Sequence, residues 1–258
     1  MNRFKEYKVK FSQNFLFDKK LVNELVNLSN INSNDIVLEI GTGKGIITKY
    51  LMNSCKKLLT YEIDNKLFNN LLEMSFNKNV ELINCDFLQC DLPENGTEYK
   101  VFSSIPFNIT SSIINKLLFN NNPPTDTYLI VQKEVAYRYA GLNKECLQSL
   151  LLKPNYEIKV KYLINKENFR PIPNVDCALI YFQKKDVCDV KDYKSYCEFI
   201  KYIFTTGFKS KKKLFNLFSY TQSKIIMRKL NIKRDFLISE IKYDKWLELF
   251  NYYESLKR

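Results

Sequence analysis

The chain has 258 residues, 45% of them hydrophobic and 14% aromatic, which is ample for a core and excludes a disordered chain. A formal charge of +12 points to an anionic partner, and the absence of any histidine removes the commonest general base and metal ligand. Seven scattered cysteines (55, 85, 90, 146, 177, 188 and 197) include no C-x-x-C pair, so no disulfide framework, zinc site or iron–sulfur motif is encoded; they are expected reduced, and no metal is expected.

Apolar residues at three- and four-residue intervals predict a helix over 19–29, followed by a strand over 36–40, a glycine-rich turn and a helix over 45–53. A strand over 58–63, a helix over 65–75, and strands over 80–83 and 101–103 come next. A helix over 110–119 ends in the turn NNNPPTD at 120–126, which leads into a strand over 128–132 and a helix over 133–138. Two further strands, 157–163 and 177–182, have no helix between them and are expected to pair antiparallel at a sheet edge. Alternation of this kind predicts a doubly wound, mostly parallel α/β sheet. From about Lys184 the pattern turns lysine-rich and helical, ending in YDKWLELFNYYESL, where Trp246, Leu247, Leu249 and Phe250 form an apolar face. Two domains are expected: 1–185, holding the sheet, and 186–258, small, basic and all-α, with the boundary falling between Lys184 and Val190.

The segment VLEIGTGKGIITKYLMNSCKKLLTYEID, Val37 to Asp64, is the front half of a nucleotide-binding βαβ unit. Its glycines, Gly41, Gly43 and Gly45, fall G-x-G-x-G, which fits neither the dinucleotide fingerprint nor the phosphate loop. An acid directly before the turn, Glu39, disfavours a bound pyrophosphate and suits a cationic ligand such as S-adenosylmethionine, which carries an ammonium and a sulfonium. Glu62, ending the next strand, is placed to accept from ribose hydroxyls. The alternative is a turn whose glycines only relieve strain. Asp86, after the third strand, can accept from an adenine amino group, and taken alone reads equally as a capping or turn aspartate. Ser104-Ile105-Pro106-Phe107 occupies the corresponding loop after the fourth strand, with Phe107 either exposed for stacking or packed in the core.

With these residues in order, the chain resembles the ribosomal RNA adenine-N6 methyltransferases, the family containing the Erm macrolide-resistance enzymes, the KsgA/Dim1 enzymes and the mitochondrial transcription factor B proteins. FSQNFLFD at 11–18 is similar to their N-terminal [GS]-Q-[NH]-F-L segment, LEIGTGKG to their cofactor loop, YEID to their ribose-binding acid and CDFLQCDLP to their adenine-binding aspartate. SIPFNITSS at 104–112 is similar to the N-[IL]-P-[YF]-x-[IV]-[ST] catalytic loop, and FRPIPNVDCALI at 169–180 to F-x-P-x-P-x-V-x-S-x-L. Ser104 stands where the family has asparagine. The wording EIGTGKG and the tail WLELF resemble the Erm branch most; LIVQKEVAYRYAG at 129–141 is closer to KsgA/Dim1, and Phe107 to the transcription factor branch.

The resemblance implies a Rossmann-like methyltransferase sheet with S-adenosylmethionine as cofactor, bordered by Asn14 and Leu16. Gly41 and Gly43 would contact its methionine part, Glu62 its ribose and Asp86 its adenine, with Ser104 alongside. The catalytic loop is Ser104, Ile105, Pro106 and Phe107. It further implies N6-methylation of an adenine, with 23S ribosomal RNA and macrolide, lincosamide and streptogramin B resistance as the leading reading. A 16S-type dimethyltransferase and a non-catalytic RNA- or promoter-binding protein are the alternatives.

Phe199 to Arg234 contains ten Lys or Arg and no Asp or Glu, interleaved with Phe204, Phe208, Phe215, Phe218 and Tyr220. Charge with stacking surface favours a nucleic acid over a solvated face or an anionic membrane surface, and with the resemblance this implies RNA bound through Lys209, Lys211, Lys212 and Lys213. No apolar run approaches a membrane span, and the start MNRFKEYKVKF lacks a signal peptide's apolar region, so a cytoplasmic monomer is expected.

Overall fold

A computed structural model describes residues 14–204, 210–232 and 236–257. The short strand β1 (Phe15–Leu16) precedes helix α1 (Lys19–Asn27), which begins because Asp18 accepts from the amides of Lys20 and Leu21. This side-chain cap satisfies donors that the first helical turn cannot satisfy itself. Leu21, Val22, Leu25 and Val26 then form the buried stripe.

Seven strands make the main sheet: β2 (Ile36–Ile40), β3 (Lys57–Glu62), β4 (Val80–Asn84), β5 (Lys100–Ser104), β6 (Asp126–Gln132), β7 (Tyr156–Ile164) and β9 (Cys177–Lys184). Their order is β4-β3-β2-β5-β6-β9-β7, and the β2/β3, β3/β4, β2/β5 and β5/β6 pairs are parallel. Covered on both faces, the central strands bury successive apolar residues: Val37, Leu38, Val101, Phe102, Leu129 and Ile130 are fully buried. The last two strands adjoin each other at one edge, as the missing helix between them predicts. Between the strands lie α2 (Thr48–Leu51), α3 (Asn65–Leu72), α4 (Thr110–Leu118), α5 (Lys133–Ala140) and α6 (Leu147–Leu152). A separate two-stranded ladder joins β1 to β8 (Phe169–Arg170).

Two local expectations change. The helix predicted over 45–53 is reduced to α2, because Gly45 sits at φ +71°, outside the helical region, and the backbone turns before it can wind. Cys85 and Cys90, expected reduced, are joined by a disulfide, because the turn between them brings their Cα atoms to 6.8 Å. The other five cysteines form no disulfide.

Contacts group the chain into two compact units, 1–133 with 161–179, and 134–160 with 180–258. The second unit contains α7 (Tyr193–Phe204), α8 (Ser210–Asn216), α9 (Tyr220–Lys229) and α10 (Tyr243–Ser255), together with α5 and α6. Its core is aromatic. Trp246 is fully buried against Phe199 and Phe204, and Tyr196 meets Phe250 edge to face. Leu249 and Phe250 complete the buried face predicted for the tail, with Leu247 at its margin. Tyr193 and Tyr196 donate to the carbonyls of Leu151 and Leu150, pinning α6 to α7.

Candidate active site

β2 lies between β3 and β5, so the chain reverses its direction of travel across the sheet there. Open α/β sheets bind ligands at such a point, outside the carboxyl ends of the strands. A cleft opens at this place. Its walls are the loops after β2 (Gly41 to Lys44, Ile46, Ile47), β3 (Glu62, Ile63) and β5 (Ser104 to Phe107), with Asn14, Phe15 and Leu16 as a strap across it.

The glycine loop is held by β3. Gly41 and Thr42 donate backbone N–H bonds to the Tyr61 carbonyl, and Gly43 donates to Glu62 Oε2 at 2.7 Å. Gly41 and Gly43 have φ of +74° and +60°, which favours glycine, and a Cβ on Gly43 would stand 3.0 Å from the Phe15 ring. The loop and the strap are therefore in van der Waals contact. Glu62 Oε1 accepts from the Asp64 amide, while Asp64 itself caps α3. Each Glu62 oxygen keeps a second lone pair for a ligand hydroxyl.

The strap is anchored by the 169–171 segment. Phe15 pairs with Arg170 and Leu16 with Phe169, Asn14 Nδ2 donates to the Pro171 carbonyl at 2.7 Å, and the Arg170 guanidinium lies 4.3 Å from the Phe17 ring centroid. This explains how residues far apart in the chain border one cleft.

Of the residues named from sequence, Asn14, Leu16, Gly41, Gly43, Glu62, Ser104, Ile105, Pro106 and Phe107 come together on the cleft walls. Asp86 is not on its walls. It lies on the turn after β4, half-buried, with Oδ1 accepting from the Leu88 amide at 3.0 Å, as a turn aspartate does. β4 pairs Asn84 with Glu62, so Asp86 lies two residues beyond the level of Glu62. Phe107 is half-buried and lines the cleft instead of entering the core. The carbonyls of Pro106 and Phe107 both accept from Thr110 Oγ1, which fixes the loop to the start of α4.

Glu39 departs from its expected role. It is buried, off the cleft wall, and Oε2 accepts from Thr48 Oγ1 at 2.7 Å and Thr60 Oγ1 at 3.1 Å, while Thr60 also bonds Thr42. Burial pushes its carboxyl up to about 8, so near neutrality it is largely uncharged. Glu39 therefore carries little charge with which to attract a cationic ligand. Its place in the hydroxyl network makes it a brace for the glycine loop, because strand alternation turns it toward α2 and β3.

Sequence reasoning passed over Phe15 and Ser103. Ser103, fully buried, accepts from the Ile40 amide at 2.7 Å and ties β5 to the base of the glycine loop. The signal for it was alternation: two adjacent serines on a strand point to opposite faces.

In the second unit, Lys212 is exposed on α8, Lys211 stands 4.6 Å from the Phe236 ring centroid and Lys213 4.6 Å from that of Tyr202. Lys209 lies outside the described residues. No helix among the described residues is long and apolar enough to cross a membrane.

A parallel sheet with a glycine turn, an acid ending the second strand of the sheet and a cleft at the switch point is the arrangement of the Rossmann-like S-adenosylmethionine-dependent methyltransferases. The crystal structure of the 23S rRNA methyltransferase ErmE has this fold, with a TM-score of 0.85 at 22% identity, covering 93% of this chain and 100% of that one. The family model for ribosomal RNA adenine dimethylases matches residues 4–255, and the chain belongs to that family. It is a ribosomal RNA adenine methyltransferase that uses S-adenosylmethionine. It is 38% identical, over 83% of its length, to 84% of the ribosomal RNA small subunit methyltransferase A of Mycoplasmopsis pulmonis. Against the protein of the same name from Mycoplasmopsis synoviae it is 35% identical, covering 96% of this chain and 97% of that one. These relatives carry small-subunit names, whereas the loop wording and tail had favoured the Erm branch.

Proposed function

We propose that this protein dimethylates adenines near the end of 16S-type ribosomal RNA, as a KsgA/Dim1-type enzyme of the cytoplasm acting as a monomer. The observation that carries this reading is the 38% identity over most of the chain to a small subunit methyltransferase. Residues 1–185 would form the catalytic part and 186–258 the basic helical part that grips RNA.

The cleft residues suit S-adenosylmethionine. Glu62 offers carboxylate lone pairs to ribose hydroxyls, Gly41 and Gly43 let backbone approach the methionine part, and Asn14 and Leu16 close over it from the strap. Asp86, on the next turn, would accept from the adenine amine. When bound, the cofactor supplies a methyl group on a good sulfonium leaving group. The exocyclic amine of the target adenine is a poor nucleophile, because its lone pair is delocalised into the ring. Carbonyl acceptors on loop 104–107 would bind its N–H groups, draw nitrogen toward tetrahedral geometry and aim it along the methyl–sulfur axis. Its proton can leave after transfer, so no strong general base is required and the lack of histidine is no obstacle. Phe107 would stack on an adenine flipped out of its stem.

A second reading, methylation of 23S RNA with macrolide, lincosamide and streptogramin B resistance, is favoured by the Erm-like wording of residues 39–45 and of WLELF at 246–250. Primer extension on ribosomal RNA from cells with and without the protein separates the two. Protein-dependent stops near the end of 16S RNA support the first; stops confined to 23S RNA replace it with the second.

A further inference from the structure

α4 starts directly behind loop 104–107 and carries Lys116 in its last turn. From there the half-buried Lys116 Nζ reaches the turn after β4. It donates to the Leu88 carbonyl at 3.1 Å and to the Cys90 carbonyl, and stands 5.1 Å from the centroid of the Phe87 ring. Phe87 is buried and meets Tyr61 edge to face, and Tyr61 is the neighbour of Glu62 on β3. Desolvation lowers the Lys116 pKa, with Asp91 and Asp86 acting in the opposite sense. A partly desolvated ammonium needs compensation, and here it comes from one short segment, residues 86–91.

Within that segment the Asp86 to Leu88 bond, the backbone bonds from Gln89 N–H to the Asp86 carbonyl and from Cys90 N–H to the Phe87 carbonyl, and the Cys85–Cys90 bridge shape the turn. At its start the turn is joined to β3, where the Cys85 N–H and Asn84 Nδ2 donate to the Glu62 carbonyl. Lys116 holds its far end, by bonding the Leu88 and Cys90 carbonyls to the helix that continues from loop 104–107.

We propose that Lys116 is a positioning residue for the cofactor, holding the 86–90 turn against α4 so that Asp86 meets the adenine amine. The proposal rests on the reading of Asp86 as the adenine-side acceptor. It makes Lys116 a link between the loop that grips the cofactor and the helix behind the loop that grips the target base.

The test is a double-mutant cycle on the full chain, with S-adenosylmethionine affinity measured by calorimetric titration. Lys116→Met keeps the stem on Phe87 and removes the donors; a roughly fivefold to twentyfold loss of affinity is expected, with Lys116→Arg recovering part of it. Asp86→Ala should weaken binding on its own, and adding Lys116→Met to it should weaken binding little further. Wild-type affinity in Lys116→Met overturns the proposal, as do additive losses, which would show Lys116 acting elsewhere than through Asp86. If Asp86→Ala binds normally, the adenine-side reading fails and the proposal fails with it; if the wild-type chain does not bind S-adenosylmethionine, the cleft assignment itself is wrong. Should Lys116→Met not fold, the Lys116→Arg and Lys116→Gln pair decides on the same criteria.

Discussion

Glu62 Oε2 accepts a 2.7 Å hydrogen bond from the backbone amide of Gly43, so the acid that ends β3 also holds the glycine loop that follows β2. Removing the carboxylate therefore removes a candidate ribose acceptor together with one of the loop's ties to β3, leaving the bonds of Gly41 and Thr42 to the Tyr61 carbonyl. Glu62→Ala is expected to weaken S-adenosylmethionine binding by ~1–3 kcal/mol, with Asp86→Ala costing a similar amount if its free oxygen meets the adenine amine. Calorimetric titration measures both. Unchanged affinity in the two variants would remove the assignment of the cleft's ribose and adenine sides.

Glu39 makes a prediction about pH. Its folded pKa is raised from 4.5 to about 8, so between those values the folded protein holds a proton that the unfolded chain has released. Stability must therefore fall as pH rises through that window and level off above it, by at most ~1.4 kcal/mol per pH unit. Glu39→Gln keeps an acceptor for Thr48 and Thr60 without the charge, and should gain stability relative to wild type between about pH 5 and about pH 8.5. Denaturant unfolding at the two pH values reads the difference; a pH-independent difference would mean Glu39 stays ionised in the fold.

If Phe107 stacks on the target adenine as proposed, loop 104–107 needs an aromatic face there and no phenol hydroxyl. Phe107→Tyr should stay active, whereas Phe107→Ala should lose a stacking contribution of ~1–3 kcal/mol. Ser104→Asn should hold or raise the rate, since an amide carbonyl reaches farther than a hydroxyl toward the target amine. Single-turnover methylation at saturating cofactor isolates the step. Wild-type turnover in Phe107→Ala would end the stacking role.

Replacing Lys211, Lys212 and Lys213 with glutamine should weaken RNA binding and flatten its salt dependence while cofactor affinity is kept. Lys212, exposed, can meet a phosphate without rearrangement, whereas Lys211 and Lys213 must leave the faces of Phe236 and Tyr202. An unchanged salt slope would show that the three are only a solvated face.

Much of this architecture was legible from local pattern. Largely apolar runs such as IVLEI and LIV mark strands buried on both faces, and their alternation with helical periods dictates a parallel sheet. Order along the chain also implies which loops share a cleft, since every strand of a parallel sheet ends on one side. What local pattern does not carry is side-chain direction and long-range closure. Glu39 reads as a ligand-facing acid because its proximity to the glycines is visible and its inward orientation is not. Phe15 was hidden between Asn14 and Leu16, the two residues singled out, and its contact with Gly43 depends on a ladder to Phe169 and Arg170 far along the chain. α6 was missed because LQSLLL is too short to display a helical period, and its stability comes from tyrosines of α7. The Cys85–Cys90 pairing depends on the tightness of one turn, which spacing alone leaves open.

The account stands or falls on which ribosomal RNA receives the methyl groups. Unmethylated small and large ribosomal subunits, each incubated with the purified protein and labelled S-adenosylmethionine, followed by primer-extension mapping, answer this directly. Label in 16S RNA, with stops at paired adenines near its end and none in 23S RNA, is the expected result; label confined to 23S RNA, or absent from both, would contradict it.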